Sequence, residues 1–230
     1  MLNGKVVLIT GAKGGLGTHV TNAFLDAGAR VVGTSPHIQA SNFPRDGFIA
    51  EPAAIHTERD AMDLVGRVTT HTGRIDVLVH LVGGFTGGQT VADTEYETLA
   101  RMFHVNLDPF FFLARAVVPV MRTQGSGAIL AIGSRTAAEP VATLGAYSAS
   151  KAALVSLVRT IALEGKEYGL TANVILPGTM DTPANRSAMP QVDPSKWVRP
   201  SQVAAMLVHL ASDAASQVTG AVIPIFGGEL

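Results

Sequence analysis

Val6-Val7-Leu8-Ile9-Thr10-Gly11-Ala12-Lys13-Gly14-Gly15-Leu16-Gly17 is the stretch that decides the fold. Its first four residues form a short β-branched, apolar run, the composition of a strand buried on both faces. The run ends in a glycine cluster, and apolar residues then recur at helical spacing from Leu16 to Ala27. Glycine lets the backbone turn sharply and approach a ligand, because no Cβ intervenes. The helix start behind it offers free N–H groups and a positive dipole end, which suit a pyrophosphate. The spacing Gly-x-x-x-Gly-x-Gly is looser than the common dinucleotide fingerprint. A ligand-free tight turn would also use glycine, but the place between first strand and first helix favours the phosphate reading. Gly11, Lys13, Gly14, Gly15, Leu16 and Gly17 are therefore candidate cofactor contacts.

Outward from this turn the alternation continues. Val31-Val32 and Phe48-Ile49 read as strands, Ala61 to Val68 as a helix and Ile75 to Val79 as a strand. Leu99 to Met121 reads as one long apolar helix whose pattern Pro109 and Pro119 interrupt. Ala128 to Ile132, Asn173 to Leu176 and Ala221 to Phe226 are further strands, with helices at Gly145 to Leu163 and Ser201 to Ala211. Strands apolar on both faces, alternating with helices, predict a doubly wound (Rossmann) α/β fold. We expect one domain over residues 1–230 and a mostly or wholly parallel sheet of about seven strands, with ligands at the carboxyl ends. Two segments depart from the alternation. Ser35 to Gly47 holds Pro36 and Pro44 and lacks helical periodicity, which predicts a loop or a single turn. Residues 178–200 are rich in Pro, Ser, Asp and Asn and too long for an ordinary connection, which predicts a substrate lid.

Composition excludes several classes. A length of 230 residues suits one α/β domain, and 47% hydrophobic with 15% charged residues argues against disorder. A formal net charge of −1 offers nothing to nucleic acid or an anionic membrane. The first apolar run is too short to span a bilayer and no cleavage pattern follows it. The absence of cysteine removes disulfides, thiolate metal sites and a cysteine nucleophile, and fits a cytoplasmic location. The seven histidines show no metal-ligand spacing, so no metal is expected, and His80 and His104 read as packed or capped residues.

Tyr147-Ser148-Ala149-Ser150-Lys151 places a phenol and an ammonium four residues apart, on one helix face. A phenol with a pKa near ~10 is a poor base at neutral pH, and a nearby cation lowers it. Reduction of a carbonyl needs such a partner, because the alkoxide that forms must be protonated. The pair alone is equally compatible with an exposed helix pair. Asn106, amid apolar neighbours in Met102-Phe103-His104-Val105-Asn106-Leu107, needs partners for its amide.

The glycine turn and the Tyr147/Lys151 pair together resemble the short-chain dehydrogenase/reductase family over nearly the whole chain. The resemblance implies a strand-end serine before the tyrosine, supplied here by Ala131-Ile132-Gly133-Ser134. Ser134 would then hold the substrate oxygen beside Tyr147. Asn106 would join a proton relay behind Lys151 through a water, and Lys151 would also donate to the nicotinamide ribose. Pro177-Gly178 matches the family's nicotinamide-flanking pair, with Thr179 or Thr182 near the carboxamide or phosphates. The long helix carrying Phe110-Phe111-Phe112 reads as packing surface, or as the contact of a homo-oligomer, a dimer or tetramer in this family.

Two stretches resemble the dihydropteridine reductase branch of that family. One is Gly83-Gly84-Phe85-Thr86-Gly87-Gly88, where the family usually has Asn-Ala-Gly; Gly83 is the cofactor-side glycine. The other is Leu176 to Pro190, followed by Trp197. That branch lacks the serine and carries an acid after the second strand, whereas this chain has Ser134 and reads Gly33-Thr34-Ser35-Pro36-His37. The expected activity is NAD(P)-dependent hydride transfer between cofactor and a small carbonyl or alcohol substrate. Reduction of a quinonoid pterin is one alternative, and a non-catalytic dinucleotide sensor another. No acid precedes Asp46 in the region that normally accepts from the adenosine 2′-hydroxyl, while Lys13, Ser35 and His37 could donate to a 2′-phosphate, so the reading tilts to NADP(H). Glu51 is a candidate contact to the adenine amino group.

Overall fold

The apolar runs become strands because each can bury both faces. In the computed structural model, which describes residues 2–228, they are β1 (Val6–Thr10), β2 (Arg30–Thr34), β3 (Phe48–Ala50), β4 (Val77–His80), β5 (Gly127–Ile132), β6 (Leu170–Pro177) and β7 (Val222–Ile225). They form one sheet in the order β3-β2-β1-β4-β5-β6-β7, and every pairing is parallel. The helices are α1 (Gly17–Asp26), α2 (Glu58–Thr72), α3 (Tyr96–Asn106), α4 (Asp108–Gln124), α5 (Gly145–Glu164), α6 (Pro183–Ala188) and α7 (Pro200–Leu210).

Side-chain alternation along the strands sorts the core into two layers. Val7, Ile9, Val31, Val77, Val79 and Leu130 pack with Val20 and Phe24 of α1 and Val203 and Leu207 of α7. Val6, Leu8, Val32, Leu78 and Ile129 face the other way, toward Leu64 of α2, Phe110 and Val117 of α4 and Leu154 and Val158 of α5. Phe24 and Phe110 are fully buried, and truncating either to alanine costs about 3–5 kcal/mol.

The long helix expected from Leu99 to Met121 is two helices. They break at Leu107, whose φ is −116°. Pro109 explains the break: it has no N–H to donate, and its ring would collide with the carbonyl four residues back. It is accommodated as the second residue of α4, where an N–H would be unsatisfied anyway. Pro119 remains inside α4 without ending it. Of the phenylalanine triplet, Phe110 is core and Phe111 is 45% exposed.

Residues 35–47 hold one short turn, Ala40–Asn42, as the prolines imply. Residues 178–200 are more ordered than an open loop. They contain α6, and their two arms are tied by a Met180–Val198 bridge, with Val198 N–H donating to the Thr179 carbonyl at 2.8 Å. Among the described residues no helix is long and apolar enough to cross a membrane.

Candidate active site

The sheet order reverses direction between β1 and β4, and in such sheets ligands bind at the carboxyl ends beside that point. The glycine turn lies there. Gly11 has φ +68°, and a Cβ on it would meet Leu81 and Val82 of the segment after β4 at 3.5–3.6 Å. A Cβ on Gly17 would collide with the Gly11 carbonyl oxygen, so the turn closes tightly onto the start of α1. Leu16 occupies the helix cap position, no side chain caps it and no acid lies in the first turn. Gly14 N–H donates to Gly11 at 3.0 Å, and a Cβ on Gly15 would press on Thr182 at 3.3 Å. The base of the lid thus lies against the turn. A glycine cradle at an uncapped helix start fits a dinucleotide pyrophosphate.

Other predicted cofactor contacts fall around this cradle. Gly83 sits beside the reactive groups: a Cβ there would lie 2.8 Å from Asn106 Oδ1 and 3.0 Å from Lys151 Nζ. Pro177 ends β6, Gly178 N–H donates to the Ile225 carbonyl at 2.9 Å, and Thr182 caps α6 by accepting from Asn185 N–H at 3.2 Å. Lys13 is exposed and donates to the His37 carbonyl at 3.1 Å, and buried Ser35 donates to the Thr34 carbonyl at 2.7 Å. Glu51 is held by side chains of α2. Arg67 Nε and His71 Nδ1 hold its two carboxylate oxygens at 3.0 and 2.9 Å, because a buried acid must be paired.

The side chains expected to be catalytic lie around the end of β5. Ser134 follows that strand, near enough to the Tyr147 phenol to draw its pKa back down. The Ser134 oxygen accepts from Thr136 N–H at 3.3 Å and contacts Thr136 Oγ1 at 3.1 Å. Tyr147 lies in the first turn of α5, one turn before Lys151. Lys151 is only 5% exposed and donates to the Ile132 carbonyl at 3.0 Å, which anchors α5 to the strand end that carries Ser134. Burial pushes the Lys151 ammonium down to about 8. Burial also pushes the Tyr147 phenol above its ordinary value, and the group pulling it back is Ser134. On balance the phenol is raised, where a neighbouring ammonium alone would lower it.

Asn106, fully buried at the end of α3, is a clamp. Its Oδ1 accepts from Gly84 N–H at 2.9 Å; its Nδ2 donates to the Gly84 carbonyl and to Ser150 Oγ, both at 3.1 Å. Ser150 passes the link on, donating to the Tyr147 carbonyl at 2.7 Å. Ser150 was not singled out in the sequence; its signal was its place one residue before Lys151, on the buried side of an alanine- and serine-rich helix. Thr10 is a second such residue. It joins β1 to the start of the cofactor loop by accepting from Leu81 N–H at 3.2 Å, and it lies 3.1 Å from His80 Nδ1. His80 packs on Phe110 with ring centres 5.4 Å apart. Burial, reinforced by the Lys151 charge, pushes His80 down to about 3, so it stays neutral. His104 pairs with Asp108 at 2.6 Å.

The chain is similar to known proteins along nearly its whole length. The short chain dehydrogenase family model matches residues 5–193. The 7alpha-hydroxysteroid dehydrogenase of Escherichia coli is 31% identical over 99% of this chain and 94% of its own. The 3-oxoacyl-acyl-carrier-protein reductase of Thermotoga maritima is 32% identical over 99% of this chain and 98% of its own. A short-chain type dehydrogenase/reductase structure from Mycobacterium ulcerans superposes with a TM-score of 0.92 at 26% identity, covering 99% of this chain and 90% of that one.

Proposed function

The chain belongs to the short-chain dehydrogenase family, and from that premise we propose that Ser134, Tyr147 and Lys151 carry its oxidoreductase chemistry on a carbonyl or alcohol substrate. What supports this most is the convergence beside the glycine cradle: Lys151 donates to the Ile132 carbonyl at 3.0 Å, at the end of the strand that carries Ser134, and Tyr147 lies one turn before that lysine on α5. A nicotinamide dinucleotide supplies or accepts the hydride when bound. The chain's own groups do the rest. Ser134 holds the substrate oxygen next to Tyr147, in the manner of a preorganised donor aimed at developing charge. In reduction Tyr147 gives its phenolic proton to that oxygen, and in oxidation it takes one. Lys151 steadies the resulting phenolate and would donate to the ribose hydroxyls. Asn106 holds the loop at Gly84 and, through Ser150, the backbone of Tyr147; a bound water behind Lys151 would complete the relay.

The glycine turn, Gly83, Pro177, Gly178, Thr179 and Thr182 would hold the cofactor. NADP(H) fits better than NAD(H): β2 ends at Thr34 and Ser35 follows, with no acid to repel a 2′-phosphate, and the exposed ammonium of Lys13 reaches the following loop at His37. Lys13→Ala is expected to weaken NADPH more than NADH in a fluorescence titration. Ser134 favours carbonyl chemistry over pterin reduction, and the joined Ser134, Tyr147 and Lys151 favour an enzyme over a sensor. A homo-oligomer assembled across α4, where Phe111 is exposed, fits the same reading and is read by sedimentation.

The decisive experiment is a ketone-reduction assay of Tyr147→Phe with saturating NADPH or NADH. Turnover should fall about 10²–10⁴-fold, the usual contribution of a positioned proton donor. Full turnover with bound cofactor would remove Tyr147 from the mechanism.

A further inference from the structure

Beyond the reacting groups, the outer wall of the cleft has its own chemistry. Phe85 follows the Gly83-Gly84 turn and is 65% exposed. Its ring packs edge-on to the Tyr147 ring, centres 5.1 Å apart and planes at 72°. Phe85 is firmly placed. Asn106 clamps the preceding Gly84 from both sides, and Arg101 donates to the following Thr86 Oγ1 at 3.2 Å. Two residues on, Gly87 lies so close to Leu144 that a Cβ would collide with it, and that same Cβ would be 3.3 Å from Phe85 Cζ. Gly88 N–H donates to the Thr143 carbonyl at 2.9 Å, latching this loop to the one that leads into α5. Val91 reaches the same place: a Cβ on Gly145 would touch it at 3.2 Å. The result is an ordered apolar wall, Phe85, Leu144 and Val91, continuous with the proton-donating tyrosine. An exposed apolar patch of several residues marks a ligand-binding groove, where a single exposed aromatic would not.

We propose that Phe85 is a specificity-determining residue, selecting carbonyl or alcohol substrates that carry a flat aromatic substituent next to the reacting carbon. The inference rests on the proposed role of Tyr147, because the reacting oxygen must lie at that hydroxyl for the substituent to meet Phe85. An aromatic ring with Tyr147 at its edge still has a face open, and a second ring gains from packing there beyond what its area alone gives. A saturated ring of the same size gains only the area.

The test compares acetophenone with cyclohexyl methyl ketone, which differ in the flatness of one ring. The native enzyme should favour acetophenone in kcat/KM. Phe85→Ala and Phe85→Leu should each reduce that ratio by about three- to tenfold, chiefly through KM. The same preference is read without turnover by calorimetric binding of 1-phenylethanol and 1-cyclohexylethanol to cofactor-loaded Tyr147→Phe protein. A ratio unchanged in both Phe85 variants overturns the proposal. If Tyr147→Phe keeps full turnover while the Phe85 variants lose the aryl preference in binding, the role of Tyr147 falls and the aromatic wall stands.

Discussion

Inward of the Tyr147 ring, Ser134, Ser150, Lys151 and Asn106 are each less than a tenth exposed, and each makes a polar contact that holds another part of the site. Outward of it, Phe85 is 65% and Val91 82% exposed, and the contacts are apolar or made by backbone. The same tyrosine therefore separates a closed polar network from an open apolar wall. Buried polar groups in low dielectric are costly unless all are satisfied, so the inner side tolerates little change. The outer side has no such constraint and can vary with the substrate. On the reading proposed above, proton transfer belongs to the inner side and selection to the outer side.

The largest effect that can break this division is on Ser134. Ser134→Ala should lower kcat for ketone reduction by about 10²–10³-fold, the usual loss for one donor aimed at a developing oxyanion. It should leave the aryl preference intact, since Phe85 and Leu144 are untouched. A variant that lost selectivity and kept rate would reverse the assignment.

The next effect is a pH limb. Lys151 is pushed down to about 8, and Tyr147 is pushed up from its ordinary value. Tyr147 therefore stays protonated through the window where Lys151 loses its charge. Near pH 9 roughly one Lys151 in ten is still an ammonium, so phenolate is poorly stabilised and kcat/KM for reduction should fall about tenfold per unit. Unfolding would not mimic this. A lysine whose folded value lies below its unfolded one makes the fold more stable as pH rises from about 8 to 10.5, because only the unfolded chain is still protonated there. A reduction rate that stays flat to pH 9.5 would take the charge of Lys151 out of the mechanism.

Smaller again is the cost of opening the clamp. Asn106→Ala removes both bonds to Gly84 and the one to Ser150, and leaves buried partners unsatisfied. Unfolding free energy should drop by about 1–3 kcal/mol in a urea titration. Because Gly84 belongs to the polar side and Phe85 to the apolar side, this variant alone should disturb both rate and aryl preference. An effect confined to either would mean the two sides are not mechanically joined.

The strength of this division was unevenly legible in the chain. Val6–Thr10 and the other apolar runs declared a parallel sheet because burial on both faces leaves no polar alternation. The glycine turn was legible because backbone approach needs glycine, and Ser134, Tyr147 and Lys151 were legible by family resemblance. What each polar group touches was not. Glu51 was read toward an adenine; that Arg67 and His71 on α2 also hold its carboxylate was not legible. The split of the long helix needed the local effect of Pro109 to outweigh an apolar pattern that ran through it. The wall at Phe85 was invisible because it depends on two loops, after β4 and after β5, meeting at Gly88 and Thr143.

Thr143 gives the smallest and most local test. It is the non-glycine residue with a positive φ, +66°, among those described, and its carbonyl is the acceptor that latches the two loops. A β-branched side chain in that region is strained by about 1–2 kcal/mol, and such strain persists where surrounding contacts over-determine the backbone. Asparagine accepts the same conformation more readily and lacks glycine's extra freedom in the unfolded chain. Thr143→Asn should therefore stabilise the protein by up to about 1 kcal/mol, read as a higher urea midpoint at unchanged slope. The backbone bond from Gly88 does not need the threonine side chain, so Phe85 should keep its place and the acetophenone preference should hold. A variant that gained stability and lost the preference would show that the strain itself holds the wall against Tyr147. In that case the outer side would be as tightly specified as the inner one, by backbone conformation in place of hydrogen bonds.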